Sequence, residues 1–310
     1  IMYQIEFHAM GTEVLIQLDC SPGKEEVLYA TPSWFDEWEN VLSRFRPNSE
    51  LSRLNQSGGQ LVAISSVMWD VLQLSLKNER NSDGLITPGV FDTLNALGYN
   101  HSFDALNTFY PEEFYGDTRI QNISDQIIIK PEEKCILLPP GIHLDFGGVG
   151  KGWASHQVLG SLSHLGPVLV DAGGDIAIAG MPEGNPYWVI GIENPVKPQE
   201  EYTQVAITDC GIATSGRNKR KWNHKGTEYH HILDPRTNTS SDTDVLSATV
   251  IAKDVLQAEY GAKMINILGS RQGLTWLSTQ HAMEALVFLR NEEAIKTPGF
   301  QELERMVEYL

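Results

Sequence analysis

Alternating apolar and polar residues in Glu13-Val14-Leu15-Ile16-Gln17-Leu18 predict a half-buried strand. The wider stretch Tyr3–Asp19 reads as a strand pair, or one long strand, broken at Met10-Gly11-Thr12. The period then changes. From Pro22 to about Phe45, apolar residues recur at helical spacing (Val27, Leu28, Trp34, Trp38, Val41, Leu42) with acids between them. Ser65–Glu79 repeats the pattern, with Val67, Val71 and Leu74 on one face. A loop-rich stretch begins at Asn100 and becomes β-like, where Gln126–Ile129 and Cys135–Leu138 bracket the turn signal Pro131-Glu132-Glu133-Lys134. Lys151–Leu165 predicts a helix. Val168–Val170, Ile176–Ala179, Trp188–Ile192, Gln204–Thr208 and Leu246–Ile251 predict strands, Leu256–Leu268 a helix, and Ala285–Leu289 the last strand. Strands and helices mix without a regular βαβ alternation, which favours an α+β fold with mixed or antiparallel sheets and packed helices. Neither a repeat nor a low-complexity linker divides the chain, so 1–310 is expected to be a single compact domain.

Composition narrows the function. A net charge of −17 over 310 residues argues against binding nucleic acid, whose phosphates need a basic face. It does not oppose a small anionic ligand, which responds to local charge. The sequence contains no apolar run long enough to span a membrane. Cys20, Cys135 and Cys210 form neither a disulfide framework nor a CxxC zinc motif, and are read as free thiols. Free thiols favour a reducing, cytoplasmic setting. The chain opens at Ile1, which is compatible with upstream sequence having been removed.

Candidate chemistry concentrates in a few short stretches. In Asp145-Phe146-Gly147-Gly148-Val149-Gly150-Lys151-Gly152, glycines and a lysine stand at the start of a predicted helix, where N–H groups and the helix dipole favour an anion. The stretch is not a Walker A loop, because Asp145 and Gly152 occupy the required glycine and hydroxyl positions. Nor is it G-x-G-x-x-G, whose third glycine would fall on Trp153. Gly173-Gly174, between Asp171 and Asp175, is either a close approach to a ligand or a β-bulge. Thr214-Ser215-Gly216-Arg217 is either an anion nest or an ordinary turn. His230-His231 near Asp234 is either a candidate general base or a structural or surface histidine pair, and HxxxH and H-E-x-x-H zinc spacings are absent. Glu259 and Lys263 form an i,i+4 pair. Taken alone, they read as an exposed helix pair contributing roughly a few tenths of a kcal/mol.

Taken in chain order, these segments resemble the FAD:protein FMN transferases, the ApbE-type flavin transferase family. The resemblance runs through Ala9-Met10-Gly11-Thr12, Leu42–Asn55, Asp83–Pro88, Leu144-Asp145 with Lys151-Gly152, Gly173-Gly174-Asp175, Ala213–Gly216, His231–Thr237 and the Ala258-Glu259 helix. It implies an ApbE-like (T-fold-like) α+β architecture. It also implies an enzyme that splits FAD at its pyrophosphate, attaches FMN to a threonine or serine hydroxyl of an acceptor protein and releases AMP, usually with magnesium. By resemblance, the glycines and Lys151 hold the pyrophosphate and Asp145 touches the nucleotide. Met10 and Phe45 border the ligand, with Leu85, Ile86, Thr87, Gly173, Gly174, Thr214, Ser215 and Ile232 also around it. His231 deprotonates the acceptor hydroxyl, and the Gly148 carbonyl and Glu259 face the metal.

The sequence departs from the family pattern around the metal. Glu259 stands where aspartate is usual, Lys263 where threonine is usual, His156 where aspartate is common and Thr87 where many relatives carry aspartate. A protonated lysine cannot ligate a metal, so Lys263 either substitutes for part of the metal's charge or disables transfer. A flavin-binding protein without transferase activity and an FAD pyrophosphatase giving FMN and AMP are the alternatives. Family members are often exported and lipid-anchored, which sets a second expectation for location beside the cytoplasmic one.

Overall fold

The computed structural model describes residues 1–102 and 122–308. Their contacts fall into two units: a helical unit of 33–150 and 219–241, and a large-sheet unit of 1–32, 151–218 and 242–310.

In the helical unit the amphipathic patterns become helices, two of them with a serine cap at the start. α1 (Thr31–Leu42) buries Phe35 and Leu42. α2 (Glu50–Asn55) is capped by Ser49, whose Oγ accepts from Ser52 N at 3.0 Å. α3 (Ser66–Asn81) is capped by Ser65 and buries Met68, Val71, Leu72 and Leu76. α4 (Phe91–Ala96) follows. The turn signal at Pro131–Glu133 forms a single 3-10 turn between the short strands Ile128–Lys130 and Cys135–Leu137, and a third strand, Leu61–Ala63, completes an antiparallel sheet. Part of the loop-rich stretch expected from Asn100 lies outside the described residues. The hairpin Lys221–His224/Thr227–His230 places Trp222 in an apolar cluster with Leu94, Tyr99 and Leu233.

The large-sheet unit is built on eight antiparallel strands: β1 (Met2–Ala9), β2 (Thr12–Asp19), β3 (Val168–Ala172), β4 (Asp175–Ala179), β5 (Gly211–Gly216), β6 (Val245–Ala252), β7 (Glu284–Leu289) and β8 (Ala294–Lys296). Spatial order follows this chain order, and every neighbouring pair is antiparallel. The α+β expectation therefore holds. Around β6 both faces of the sheet are covered, which explains the near-continuous apolar run of that strand. On one face Val245, Ala248, Val250 and Val287 pack with Ala262 and Ile265 of α6 (Val255–Leu268) and Leu277 of α7 (Ser270–Leu277). On the other, Ile212, Ile251, Leu286 and Phe288 pack with the hairpin Trp188–Glu193/Glu201–Ile207 and with Phe300 of the C-terminal helix (Pro298–Val307). The helix predicted over Lys151–Leu165 runs over Gly150–Leu162 and is α5.

Three expectations are corrected here. Ala285–Leu289 is not the last strand, because β8 and the C-terminal helix follow it. Gly173-Gly174 is not a bulge. It is the two-residue turn of the β3–β4 hairpin, with φ of +67° and +93°, which glycine adopts without strain. Thr214-Ser215-Gly216 is not a turn but the end of an interior strand, whose small residues permit close packing beneath α6.

Candidate active site

One end of the large sheet collects most of the predicted residues of its unit. The β1–β2 turn places Met10 at φ +52° and Gly11 at +65°. A methionine in left-handed backbone is uncommon, and such outliers cluster at functional sites. Beside it, a Cβ on Gly173 would overlap the Thr12 hydroxyl, so glycine is required there for packing as well as for φ. Asp175 begins β4, and its carboxylate Oδ2 is bonded by Lys151 Nζ from the first turn of α5. The Asp175 carbonyl accepts from Ser155 Oγ at 2.9 Å, which ties α5 to the strand. Thr214 Oγ1 lies 2.8 Å from Thr249 Oγ1 across β5 and β6, and the Ser215 carbonyl accepts from Asn266 Nδ2 at 2.9 Å.

The Glu259–Lys263 pair is not the exposed pair expected from spacing. Lys263 Nζ donates to Glu259 Oε1 at 2.8 Å, with side-chain exposures of 15% and 7%. Burial pushes the Glu259 carboxyl up from its ordinary range; Lys263 pulls it back, Asp175 raises it and Lys151 lowers it. These two carboxylates and two ammonium groups form one buried cluster. α5 and α6 meet there through Gly152, where a Cβ would overlap Glu259 Oε2. The sequence did hold a signal of this burial: Glu259 and Lys263 are the only charged residues in α6.

The helical unit contributes a second polar centre. Arg44 is a functional candidate that spacing alone did not single out. Its Nε meets Asp145 Oδ2 at 2.8 Å, Nη1 donates to Asn95 Oδ1 at 2.9 Å, and Nη2 donates to the Tyr99 carbonyl at 2.5 Å. Its guanidinium lies 4.3 Å from the Phe45 ring centroid and 4.7 Å from that of Tyr99. Burial lowers the Arg44 pKa and Asp145 opposes that shift. The other Asp145 oxygen accepts from Gly147 N at 2.8 Å, so both carboxylate oxygens are engaged within the protein. Asn55 clamps the preceding residue in both directions, donating to the Leu144 carbonyl at 2.9 Å and accepting from Leu144 N at 2.8 Å. Arg44, Phe45, Asn55, Phe91 and His143 line a cavity of about 500 Å³.

Thr87 is buried and gives its hydroxyl to Glu79, which also accepts from Ile123 N at 2.9 Å and Ser124 N at 2.6 Å. Thr87 thus completes a structural carboxylate site, while Leu85 and Ile86 form the turn before it, with Ile86 N donating to Ser82 Oγ at 2.9 Å. An acid on the apolar face of α3 was the available sequence signal for Glu79.

The two histidines differ. His230 is buried, with Nε2 3.0 Å from the Ser241 carbonyl and Nδ1 3.3 Å from Ile232 N, an arrangement that suits a proton on Nε2. His231 is half-buried, its Nδ1 3.4 Å from the Arg220 carbonyl. Asp234 does not orient it. That carboxylate is held by Arg236 through Nε at 2.9 Å and Nη2 at 2.8 Å, which corrects the expected His–Asp relation. Gly148 and Ile232 belong to the helical unit with His231, and Ile232 is buried.

The chain is similar in sequence and in fold to known proteins. An FAD:protein FMN transferase of Treponema pallidum is 26% identical over 287 residues, covering 87% of this chain and 79% of that protein. One from Klebsiella pneumoniae is 24% identical over 303 residues, covering 95% and 91%. Among solved structures, the ApbE protein of Thermotoga maritima superposes with a TM-score of 0.85 at 22% identity, covering 98% of this chain and all of that one. The flavin transferase ApbE of Vibrio cholerae gives 0.80 at 22% identity, covering 98% and 99%. Residues 10–287 match the ApbE family model, and the chain belongs to the ApbE family.

Proposed function

We propose that this chain is an FAD:protein FMN transferase and that 1–310 acts as one catalytic domain. The observation carrying the reading is the family match over residues 10–287. Relatives named for this activity, which the chain covers over most of their length, support it. In the reaction, a threonine or serine hydroxyl of the acceptor attacks the FMN phosphorus of FAD. A new P–O bond forms, the pyrophosphate bond to AMP breaks, and AMP leaves as the phosphate monoester. His231 takes the hydroxyl proton. Phosphoryl transfer asks the protein chiefly to align the groups and offset charge on the phosphate oxygens. Lys151 and Lys263 are the cations proposed for that role, and Met10, Phe45 and Asp145 border the bound nucleotide. No helix among the described residues is long and apolar enough to cross a membrane.

Magnesium fits these residues poorly. Both carboxylates of the buried cluster already carry an ammonium partner. Among the described residues, no three His, Cys, Asp or Glu side chains converge as a metal site. Lys263, at the position where the family resemblance implies a ligand, has no lone pair while protonated. No step is therefore assigned to a metal.

The test is incubation with FAD and an acceptor peptide bearing threonine, following AMP and peptide mass. AMP with a peptide heavier by one FMN phosphoester is expected. AMP with free FMN would mark a pyrophosphatase, and bound FAD without AMP a binding protein. His231→Ala should abolish transfer while FAD still binds.

A further inference from the structure

We propose that Lys263 is this enzyme's resident cation, an ammonium fixed in the α5–α6 cluster that takes the place of a divalent metal at the FAD diphosphate. The identity of the ligand rests on the transferase reading above; the site itself rests on the cluster's geometry.

The cluster carries Asp175 and Glu259 against Lys151 and Lys263, and it is buried. Its formal charges cancel, so it offers a dication no excess anionic field. An incoming diphosphate meets two ammonium groups. The Glu259 carboxylate is confined by Gly152, where even one methyl group would displace it. Its 2.8 Å contact then sets where the Lys263 ammonium sits. Glu259 is therefore a positioning residue for Lys263. An ammonium has three N–H donors and can serve a carboxylate and a phosphate oxygen together. Stability alone does not account for the pair, because buried ion pairs are often matched or exceeded by apolar residues of similar volume. Asn266, one turn beyond Lys263 on α6, donates to the Ala262 and Ser215 carbonyls at 2.8 and 2.9 Å. Those bonds fix this part of the helix against β5.

Two measurements on the full chain test the assignment. The first adds Mn²⁺ as a probe, with and without FAD, and follows the free-ion paramagnetic resonance signal. The wild-type protein should leave the signal unchanged, and stoichiometric loss of signal would overturn the proposal. The second measures FAD affinity by flavin fluorescence in EDTA. Wild type should bind equally well with EDTA or Mg²⁺. Lys263→Met should weaken binding by about 10- to 100-fold, the range for losing a charge-assisted contact. If Lys263→Met fails to fold because Glu259 is left unpaired, the double variant Lys263→Met/Glu259→Gln keeps the cluster neutral and should show the same loss. A merely structural pair predicts a lower Tm with FAD affinity intact, and that result would also overturn the proposal. The two readings fail separately. Tight FAD binding in EDTA through Lys263 without AMP release would leave the cation assignment standing and sink the transferase reading. AMP release only with added metal would do the reverse. A wild type that binds no FAD sinks both.

Discussion

Arg44 is heavily engaged: one carboxylate, two further acceptors and three aromatic rings surround a buried guanidinium. Removing it leaves Asp145 buried without its counter-charge, and breaking such a pair typically costs about 3–5 kcal/mol. Arg44→Ala should lower the urea midpoint accordingly. Adding Asp145→Ala should recover part of the loss, and additive losses would show that the two residues are not coupled. Cys210 gives a sharper test by pH. Burial foremost, with the Asp209 charge adding to it, pushes its thiol up to about 12. The reactive thiolate should therefore be scarce at about pH 8, where an ordinary cysteine is substantially ionised. Iodoacetamide should spare Cys210 in the native protein at that pH and label it in denaturant; rapid native labelling would contradict this environment. Local patterns in the sequence pointed to Asp145, Lys151 and His231, because short motifs carry local chemistry. Their partners were not legible. Arg44, Asp175 and the Arg220 carbonyl reach these residues only through tertiary folding, and the Asp234 that looked like a partner of His231 is bound to Arg236.

At the scale of elements, glycine decides how closely helices and strands approach. Gly152→Ala replaces a helical glycine with the best helix former, worth up to about 1 kcal/mol in a helix interior. The new methyl group would nonetheless strike Glu259 Oε2. The expected outcome is a protein that melts near the wild-type temperature but binds FAD more weakly, because the Glu259–Lys263 geometry shifts; unchanged affinity would show that α5–α6 contact is not critical. Gly211→Ala makes the opposite prediction. Its Cβ would run into the backbone of Val255 at the start of α6, which cannot swing away as a side chain can. Overpacking of this kind costs about 1–3 kcal/mol or more. The period-two and period-3.6 signals made β1, β2, α3 and α6 readable as elements, although the buried face of α3 runs through Met68, Val71, Leu72 and Leu76 rather than through Val67, Val71 and Leu74. β5 escaped because Ile212 is its only large apolar residue; the others are Gly, Ala, Thr and Ser, small enough for close packing beneath α6 but forming no apolar stripe. The same limit applied to Glu259 and Lys263, whose spacing is that of a solvent-exposed pair and whose burial is set by the glycine opposite them.

At the scale of the whole molecule, chain path makes a prediction that neither unit makes alone. The backbone passes between the units four times, at 32/33, 150/151, 218/219 and 241/242, so each unit is assembled from separated stretches. Neither can be expressed as one contiguous fragment. Unfolding the helical unit releases the ends that the large-sheet unit needs at β2, α5, β5 and β6, and loop-closure entropy then disfavours the sheet. The proposed single domain should consequently melt in one calorimetric transition whose van't Hoff and calorimetric enthalpies agree, although a chain of this length often departs from two-state behaviour. FAD at about 100 times its Kd should raise stability by about 2.7 kcal/mol and move that transition as a whole. Two separable transitions, with only one shifted by FAD, would show that the units unfold independently. The proposal that 1–310 is one catalytic domain would then fail.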